Sequence, residues 1–431
     1  MTNIKVDFNK RVAAMKPMHG VGQPPIEGYH FNMFHYLKEA GIPYSRLHDV
    51  GGLFGGNMFV DIPNLFRVFD ANPYDPASYD FLFTDMLITA LIENGVEPYF
   101  RLGVTIEPFT WGRRYRIYPP KDFQKWAVIC EHIIRHYTEG WADGFHYKIT
   151  YWEIWNEPDN DGNIDVNHMW CGTKEEYFAF YEVASKYLKK QFPHLKIGGY
   201  GSSGFYGLDK NSSQNTGSSA RVEYLLEFFD AFMDYIVEHK CPMDFFSWHH
   251  YEDIESCRKY ADYVRKRLDE AGYTETESSC NEWCSNLKDQ GTGKHAAFIC
   301  GMILAMQNMP MDNAMIYDAR CAMGDYSVLF NPDTRKPRSA YYGLKAFNEL
   351  YKRHNQVLLD CDTLGVYAVA AADEEDGYLV IANTLQKEVP FTLGMDREIM
   401  QCSIIDDTHM MTECEMPRVL KANDILCIKV K

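Results

Sequence analysis

The sequence contains no apolar run long enough to span a membrane. Its first residues, Met1–Arg11, lack the apolar core that marks a secretory signal peptide. A basic surface is missing as well, because the chain carries a formal net charge of -17 at pH 7. Proteins that bind nucleic acid or an anionic membrane need such a surface. We therefore expect a cytoplasmic protein that binds neither nucleic acid nor membrane.

The twelve cysteines form no compact disulfide framework. Cys280 and Cys284 are the closest pair, with three residues between them, and no further ligands follow at the spacing of a zinc site. We predict that the cysteines are free thiols, as expected in a reducing cytosol. We also expect the protein to use neither a metal nor another cofactor.

Strand-like apolar runs alternate with amphipathic helical segments over most of the chain. The predicted strands lie at about 19–22, 42–47, 96–102, the run that starts at 151, 195–199, 244–248, 276–282 and 313–317. One helix is predicted to start at Asp75 and Pro76, since an aspartate N-cap followed by proline is typical of a helix start. Eight strand–helix units predict a parallel (β/α)8 TIM barrel.

The pattern changes after Arg353, where short alternating runs separated by polar turns predict a small antiparallel, sandwich-like β domain. We predict a catalytic barrel at residues 1–352 and an accessory β domain at 353–431. Residues 1–18 are a candidate extra part of the β domain. The segment 201–220 is rich in Gly, Ser and Asn, which predicts a mobile surface loop.

The run from Tyr151 to Trp155 is aromatic and β-branched and stops abruptly at Asn156-Glu157-Pro158. Such a run predicts a buried strand that the proline ends. In a (β/α)8 barrel, active sites form at the carboxyl ends of the strands. Glu157 is therefore a candidate catalytic acid, although the same residues are equally compatible with a turn that merely ends the strand.

A glycosidase barrel needs a second carboxylate, and the seventh strand ends in Glu282. Side chains alternate along a strand, so Glu277 is expected on the opposite face, toward solvent or the helices. Glu153 lies deeper in the fourth strand and is interpreted as structural. The fourth and seventh strands face each other across the ring, and their terminal glutamates could approach to roughly 5–5.5 Å, the spacing of a retaining hydrolase.

Several of these segments resemble glycoside hydrolase clan A, and most of all its family 39, whose known members include β-xylosidases. The matching segments are Tyr44–His48, Trp152–Pro158, Gly172–Tyr177, Asp244–Tyr251 and Asn281–Trp283. The resemblance implies that Glu157 is the general acid/base and Glu282 the nucleophile. It also implies that Asn156 binds the sugar 2-hydroxyl and that Arg46 and Tyr251 keep the nucleophile ionised and oriented.

The resemblance further implies that His48 and His249 line the subsite for the terminal sugar. Trp283, Tyr317 and Phe54 are candidate walls on which a sugar could stack, although an aromatic residue at a barrel rim is as often part of the packing. The expected activity is that of a retaining exo-acting β-D-xylosidase on short xylo-oligosaccharides or glycosides. A small carbohydrate is the expected partner, and formation of a homo-oligomer is left open.

Three alternatives remain open at this stage. The same carboxylates would serve an arabinosidase or an endo-acting enzyme of the same clan. A barrel that binds glycans without cleaving them would need neither glutamate, so their presence disfavours it. A metal-dependent hydrolase built on His249 and His250 is disfavoured because adjacent side chains on a strand point in opposite directions.

Overall fold

The computed structural model describes residues 2–28, 31–50, 59–106, 116–210, 212–215, 219–285, 287–324 and 326–431. The strands in this part of the chain are β1 (Thr2–Ala14), β2 (Gly20–Gly22), β3 (Ile26–Gly28), β4 (Phe31–Asn32), β5 (Tyr44–Leu47), β6 (Glu97–Leu102), β7 (Tyr151–Ile154), β8 (Lys196–Ser202), β9 (Phe245–His250), β10 (Glu277–Trp283), β11 (Asn313–Ile316), β12 (Asn355–Cys361), β13 (Val366–Ala372), β14 (Gly377–Asn383), β15 (Val389–Met395), β16 (Ile399–Ile405), β17 (Met410–Glu413), β18 (Val419–Leu420) and β19 (Ile425–Val430). The α-helices are α1 (Phe34–Glu39), α2 (Ile62–Leu65), α3 (Leu82–Glu93), α4 (Phe123–Thr138), α5 (Lys174–Gln191), α6 (Ser219–Glu238), α7 (Ile254–Glu270), α8 (Gly293–Met306) and α9 (Ser339–Tyr351).

Eight parallel strands close into a barrel in the order β2, β5, β6, β7, β8, β9, β10 and β11. Each of them overlaps a strand predicted from the sequence, so the predicted TIM barrel is confirmed. The helices that follow these strands wrap the barrel, and their apolar faces merge with the outer faces of the strands in one large core. This arrangement leaves the carboxyl ends of the strands available for polar side chains.

Aromatic residues fill the barrel at the opposite end, where the strands begin. Tyr99, Tyr151, Phe245 and Met315 form a separate buried cluster, with Tyr44 packed against it. The rings of Tyr99 and Tyr151 stack with their centroids 4.8 Å apart. We call this cluster the barrel floor, and it closes the interior below the candidate site.

Strand β10 pairs irregularly with β9, and this changes which of its side chains face inward. Glu277 pairs with Phe245, but the register shifts between Ser279 and Glu282. The carboxylate of Glu277 accepts a hydrogen bond from the Tyr151 hydroxyl at 2.8 Å, at the barrel floor. The expectation that Glu277 faces solvent or the helices is therefore wrong, because regular alternation does not hold through the register shift.

The remaining large sheet has nine strands in the order β17, β16, β19, β14, β13, β12, β1, β15 and β18. Strand β1 pairs antiparallel with β12 and parallel with β15. One face of the sheet encloses its own apolar cluster, which includes Ile4 and Leu426. Residues of the other face, such as Val380 and Cys427, belong to the core of the barrel and its helices. The sheet is therefore firmly packed against the barrel.

Two local predictions differ from the structure. Asp75 caps a short 3-10 turn at Pro76–Ser78, and the helix itself starts only at Leu82. In the segment 201–220, residues 201–206 and Ser212 are buried, whereas Lys210, Ser213 and Gln214 are exposed, so only part of the described segment lies on the surface. Composition alone does not reveal the contacts that bury such a segment.

All twelve cysteines lie in the described part of the chain, and all are free thiols. Cys402 on β16 and Cys414 just after β17 lie close together, with their Sγ atoms 3.6 Å apart. Among the described residues, no helix has both the length and the apolar composition needed to cross a membrane.

Candidate active site

The carboxyl ends of β5, β7, β9 and β10 bring most of the predicted site residues together. Arg46 lies near the end of β5 and Glu282 near the end of β10. The chain turns after β7 because Trp155 and Glu157 adopt positive φ angles of 72° and 43°. The Glu157 amide donates to the Gly201 carbonyl at 2.9 Å, which holds this turn against β8. Glu157 and Glu282 therefore face the same space at the mouth of the barrel.

Glu157, His249 and Glu282 form a compact triad, in which one ligand atom of each lies within 4.8 Å of those of the other two. Nδ1 of His249 lies 2.7 Å from Oε1 of Glu157, and its Nε2 lies 3.6 Å from Oε2 of Glu282. Burial lowers the pKa of His249, which favours the neutral imidazole. The ring therefore lies between the two carboxylates and contacts Glu157 directly.

His250 turns away from this triad. Its Nε2 lies 2.9 Å from the Asp253 carbonyl oxygen, and its ring packs edge-on against Tyr260 with centroids 5.5 Å apart. The two adjacent histidines therefore do not converge on one point, as strand alternation predicts. The geometry gives no support to a metal site built on both.

Glu282 receives two strong hydrogen bonds. Nη1 of Arg46 donates to its Oε2 at 2.9 Å, and the Tyr251 hydroxyl donates to its Oε1. Burial raises the pKa of Glu282, and His249, Arg46 and the Tyr251 bond oppose that rise. Donors that bind the charged form of a carboxylate stabilise it. These donors therefore favour the ionised form of Glu282 and counteract the effect of its burial, since the residue is only 6% exposed.

Glu157 has a weaker set of donors. Nδ2 of Asn160 donates to its Oε2 at 2.9 Å, and His249 contacts the other oxygen. Burial raises the pKa of Glu157, and Arg221, Asn160 and Arg46 oppose this rise. A carboxyl group that keeps its proton near neutral pH can act as a general acid.

Arg46 links several of these groups. Its Nε donates to Oε2 of Glu153 at 2.8 Å, Nη1 donates to Glu282, and Nη2 donates to Oδ1 of Asn156. Because the Asn156 carbonyl oxygen accepts from Arg46, the amide nitrogen points away from the guanidinium. Asn156 is thus oriented to donate a hydrogen bond to a ligand.

A second polar group lies beside the triad at the ends of β2, β5 and β11. The Tyr317 hydroxyl donates to Oδ2 of Asp49 at 2.9 Å and accepts from the Gln23 amide. Nε2 of His48 lies 3.0 Å from Oδ1 of Asp49. Burial raises the pKa of Asp49 to about 6. For His48, burial together with the positive charges of Arg101 and Arg46 holds the pKa well below its usual value.

The predicted aromatic walls have different positions. Trp283 is 1% exposed and belongs to the main hydrophobic core, while Tyr317 is part of the polar group just described. Phe54 lies outside the described residues. The role of these aromatic residues in sugar stacking stays a prediction.

Sequence reasoning missed Asp49, Gln23 and the link through Glu153. Gln23 directly follows the first predicted strand and Asp49 lies two residues beyond the second, so the rule that barrel sites form at strand ends could have found them. One partner of Glu153 is Arg46, 107 positions away in the chain. No local pattern indicates such a pairing.

A model of the family described as "Glycosyl hydrolases family 39" matches residues 38–414. A β-xylosidase of Geobacillus stearothermophilus is 25% identical over 222 residues, which cover 50% of this chain and 39% of the relative. A β-xylosidase of Caldicellulosiruptor saccharolyticus is 30% identical over 167 residues, which cover 37% of this chain and 31% of the relative. The match thus spans less than half the length of each of these two relatives.

Solved structures agree in fold over the whole chain. A glucosidase from Croceicoccus marinus superposes with a TM-score of 0.79 at 18% identity, covering 100% of this chain and 99% of that chain. A GH39 β-xylosidase from Caulobacter crescentus superposes with a TM-score of 0.70 at 14% identity, with coverage of 100% and 99%. At such low identity these similarities show the shared fold alone.

Proposed function

The chain belongs to glycoside hydrolase family 39, and from this we propose that it hydrolyses glycosidic bonds with retention of configuration. In this proposal Glu157 is the general acid/base and Glu282 is the nucleophile. The observation that carries it is the spacing of the two carboxylates, whose nearest oxygens lie within 4.8 Å of each other. Retaining glycosidases hold their carboxyl groups at about 5–5.5 Å, whereas inverting enzymes need about 6.5–9.5 Å to fit a water molecule between them.

In the first step, an oxygen of Glu282 attacks the anomeric carbon of the sugar while the bond to the leaving group breaks. Protonated Glu157 gives its proton to the departing oxygen. Arg46 and Tyr251 keep Glu282 ionised and aimed until the glycosyl–enzyme bond forms, because both donate to its carboxylate.

In the second step, ionised Glu157 takes a proton from a water molecule, and the water oxygen attacks the same anomeric carbon. The bond to Glu282 breaks, and its carboxylate returns to the donors that stabilise it. Two inversions give net retention. His249 supports both steps by fixing Glu157, since its Nδ1 can accept from the protonated acid or donate to the carboxylate in the other tautomer.

We propose a β-D-xylosidase acting on the ends of short xylo-oligosaccharides or other xylosides as the specific activity. Support comes from two of the curated relatives, which are β-xylosidases. Asn156, His48 and Asp49 offer the donors and acceptors that sugar hydroxyls require. Arabinosidase activity and endo-acting cleavage are the alternatives for the same carboxylates. Twelve free cysteines support a place in the reducing cytoplasm.

The test is hydrolysis of a panel of nitrophenyl glycosides by the wild type, Glu157→Ala and Glu282→Ala, with and without azide. We expect the wild type to cleave the β-xyloside best and both variants to lose almost all activity. Azide should restore Glu157→Ala with a glycosyl azide of the substrate's configuration, and Glu282→Ala with the inverted configuration.

Glu413→Ala is the matched control, because Glu413 is an exposed glutamate on β17. It should behave like the wild type. If Glu157→Ala and Glu282→Ala also keep wild-type activity, the assignment of the two carboxylates is wrong. Cleavage of an arabinoside in preference to the xyloside would show that the proposed substrate is wrong, but it would leave the proposed mechanism unchanged.

A further inference from the structure

Glu153 is a buried carboxylate in the middle of β7 that the proposed mechanism does not use. It is fully buried, and it accepts hydrogen bonds from three other barrel strands. The donors are Arg46 Nε at 2.8 Å, the Ser247 hydroxyl at 2.6 Å and Asn281 Nδ2 at 2.7 Å. Burying a carboxylate is costly unless its oxygens are paired in this way. Glu153 therefore has a complete set of hydrogen-bond donors directly below the candidate site, which suggests that its carboxylate has a role there.

Through these bonds Glu153 is connected to both carboxylates of the reaction. On one side, Arg46 spans from Glu153 to Glu282 with two different nitrogens of the same rigid guanidinium. On the other side, the Ser247 hydroxyl that donates to Glu153 accepts from the Gly201 amide at 2.8 Å. The Gly201 carbonyl in turn accepts from the Glu157 amide at 2.9 Å. Glu153 is therefore connected by hydrogen bonds to both sides of the site.

The positive charge of Arg46 is shared between two carboxylates, those of Glu153 and Glu282. One guanidinium faces the carboxylates of Glu153 and Glu282 at nearly equal distances, 2.8 and 2.9 Å. If Glu153 were neutral, the whole charge would act on Glu282. A carboxylate that is bound too tightly by a cation is a poorer nucleophile, because that interaction must weaken as the new bond forms.

We propose that Glu153 is a positioning residue for the reaction, which orients Arg46 toward Glu282 and Asn156 and limits the charge that Arg46 places on the nucleophile. This inference rests on the proposed function. Glu153 touches neither the substrate nor the reacting atoms, and it acts through Arg46.

The other titratable groups around the two glutamates do not obscure this effect. Those that interact with Glu153 or Glu282 are Tyr99, Tyr177, Tyr251, Tyr317, Cys280, His249 and Glu157. Burial raises the pKa of each tyrosine and of the cysteine, and it lowers the pKa of His249. The acidic side of the pH profile therefore reports on the carboxylates.

The experiment compares the pH dependence of kcat and kcat/KM for the wild type, Glu153→Gln, Glu153→Asp and Glu277→Gln. For Glu153→Gln we expect kcat to fall about 10- to 100-fold, since an interaction that orients reacting groups is typically of this importance. The acidic limb of kcat/KM should move to lower pH by about one unit, because a negative charge near Glu282 has been removed. Glu153→Asp keeps the charge, so its acidic limb should stay closer to that of the wild type.

Glu277→Gln is the matched control. It makes the same substitution on the facing barrel strand, at a glutamate that contacts Tyr151 and Lys196 at the barrel floor. Its pH profile should equal that of the wild type. A lower thermal stability alone would affect both glutamine variants without shifting either pH limb.

The proposal is overturned if Glu153→Gln is folded and its acidic limb stays in place or moves to higher pH. It is also overturned if neither Glu153 variant folds, since the residue would then belong to the scaffold. A wild type that cleaves no glycoside would reject the proposed function itself. An active wild type with an unchanged Glu153→Gln profile would reject only the positioning role.

Discussion

Replacing Tyr251 by phenylalanine removes one hydroxyl group and leaves the aromatic ring in place. That hydroxyl donates to Oε1 of Glu282, and Arg46 donates to the other oxygen. The variant therefore keeps one donor and loses the second. Without it, the protonated form of Glu282 becomes more favourable, so the pKa of the nucleophile rises.

The size of the effect follows from the kind of bond that is lost. A hydrogen bond to a charged group contributes about 1.5–3 kcal/mol, and one pKa unit corresponds to about 1.4 kcal/mol. The acidic limb of kcat/KM should therefore move to higher pH by about one to two units. At a pH below the acidic limb of both enzymes, this shift corresponds to a loss of about 10- to 100-fold in kcat/KM. The shift is opposite in sign to the one expected for Glu153→Gln.

The assay is release of nitrophenol across the pH range, with protein stability followed by circular dichroism at each pH. Tyr260→Phe is the matched control. The Tyr260 hydroxyl donates at 2.7 Å to the buried carboxylate of Glu252, which is the residue after Tyr251 in the chain. That variant should lose stability but keep the wild-type pH profile. A Tyr251→Phe enzyme whose acidic limb coincides with that of the wild type would refute the idea that this hydroxyl stabilises the ionised nucleophile.

Two further results are expected. Asn156→Ala should lose about 100-fold in kcat/KM on the parent glycoside but much less on its 2-deoxy analogue, because the lost donor is expected to bind the sugar 2-hydroxyl; equal losses on both substrates would contradict this role. Glu252→Ala should lower the free energy of unfolding by about 3 kcal/mol, measured by urea denaturation, because the hydroxyls of Ser212 and Tyr260 lose their acceptor inside the protein. Ser212→Ala should cost much less, and equal stability of wild type and Glu252→Ala would show that this carboxylate does not hold the segment.

The barrel and the positions of Glu157 and Glu282 could be predicted because they depend on local features. Apolar runs of strand length, helical periodicity and strand-ending residues repeat along the chain, and the carboxyl ends of parallel strands meet at one edge. The resemblance to a known family added roles for Arg46, Asn156 and Tyr251. The structure brings these residues together, and their roles stay predictions.

The direction of Glu277 could not be predicted, because it depends on how β10 pairs with β9. Ser279 pairs with Ser247 and Glu282 pairs with His249, so β10 advances three residues where β9 advances two. Such an irregularity reverses the inward and outward alternation of the side chains that follow it. Nothing in the sequence of β10 alone marks the position. The prediction for Glu277 was therefore wrong because the direction of this side chain depends on a non-local contact.

The burial of the segment after Ser202 has a similar origin. Two carboxylates from other parts of the chain satisfy its polar groups. Asp159 accepts from Ser202 and Ser203, and Glu252 accepts from Ser212. Gly, Ser and Asn predict a loop correctly, but whether that loop is exposed depends on partners that composition does not show.

The position of β1 between β12 and β15 has a consequence for how the protein is made. Ala14 pairs with Asn355, and at roughly 5–20 residues per second a ribosome adds the second residue roughly 20 to 70 seconds after the first. During that interval the apolar side of β1, with Ile4 and Phe8, has no sheet to join. Lys5 and its neighbours on the other side of the strand are charged or polar and exposed, and charges of this kind discourage pairing between nascent chains. The sheet can therefore be completed only after the barrel has been synthesised, and β1, which is translated first among the strands described here, must wait for both of its neighbours.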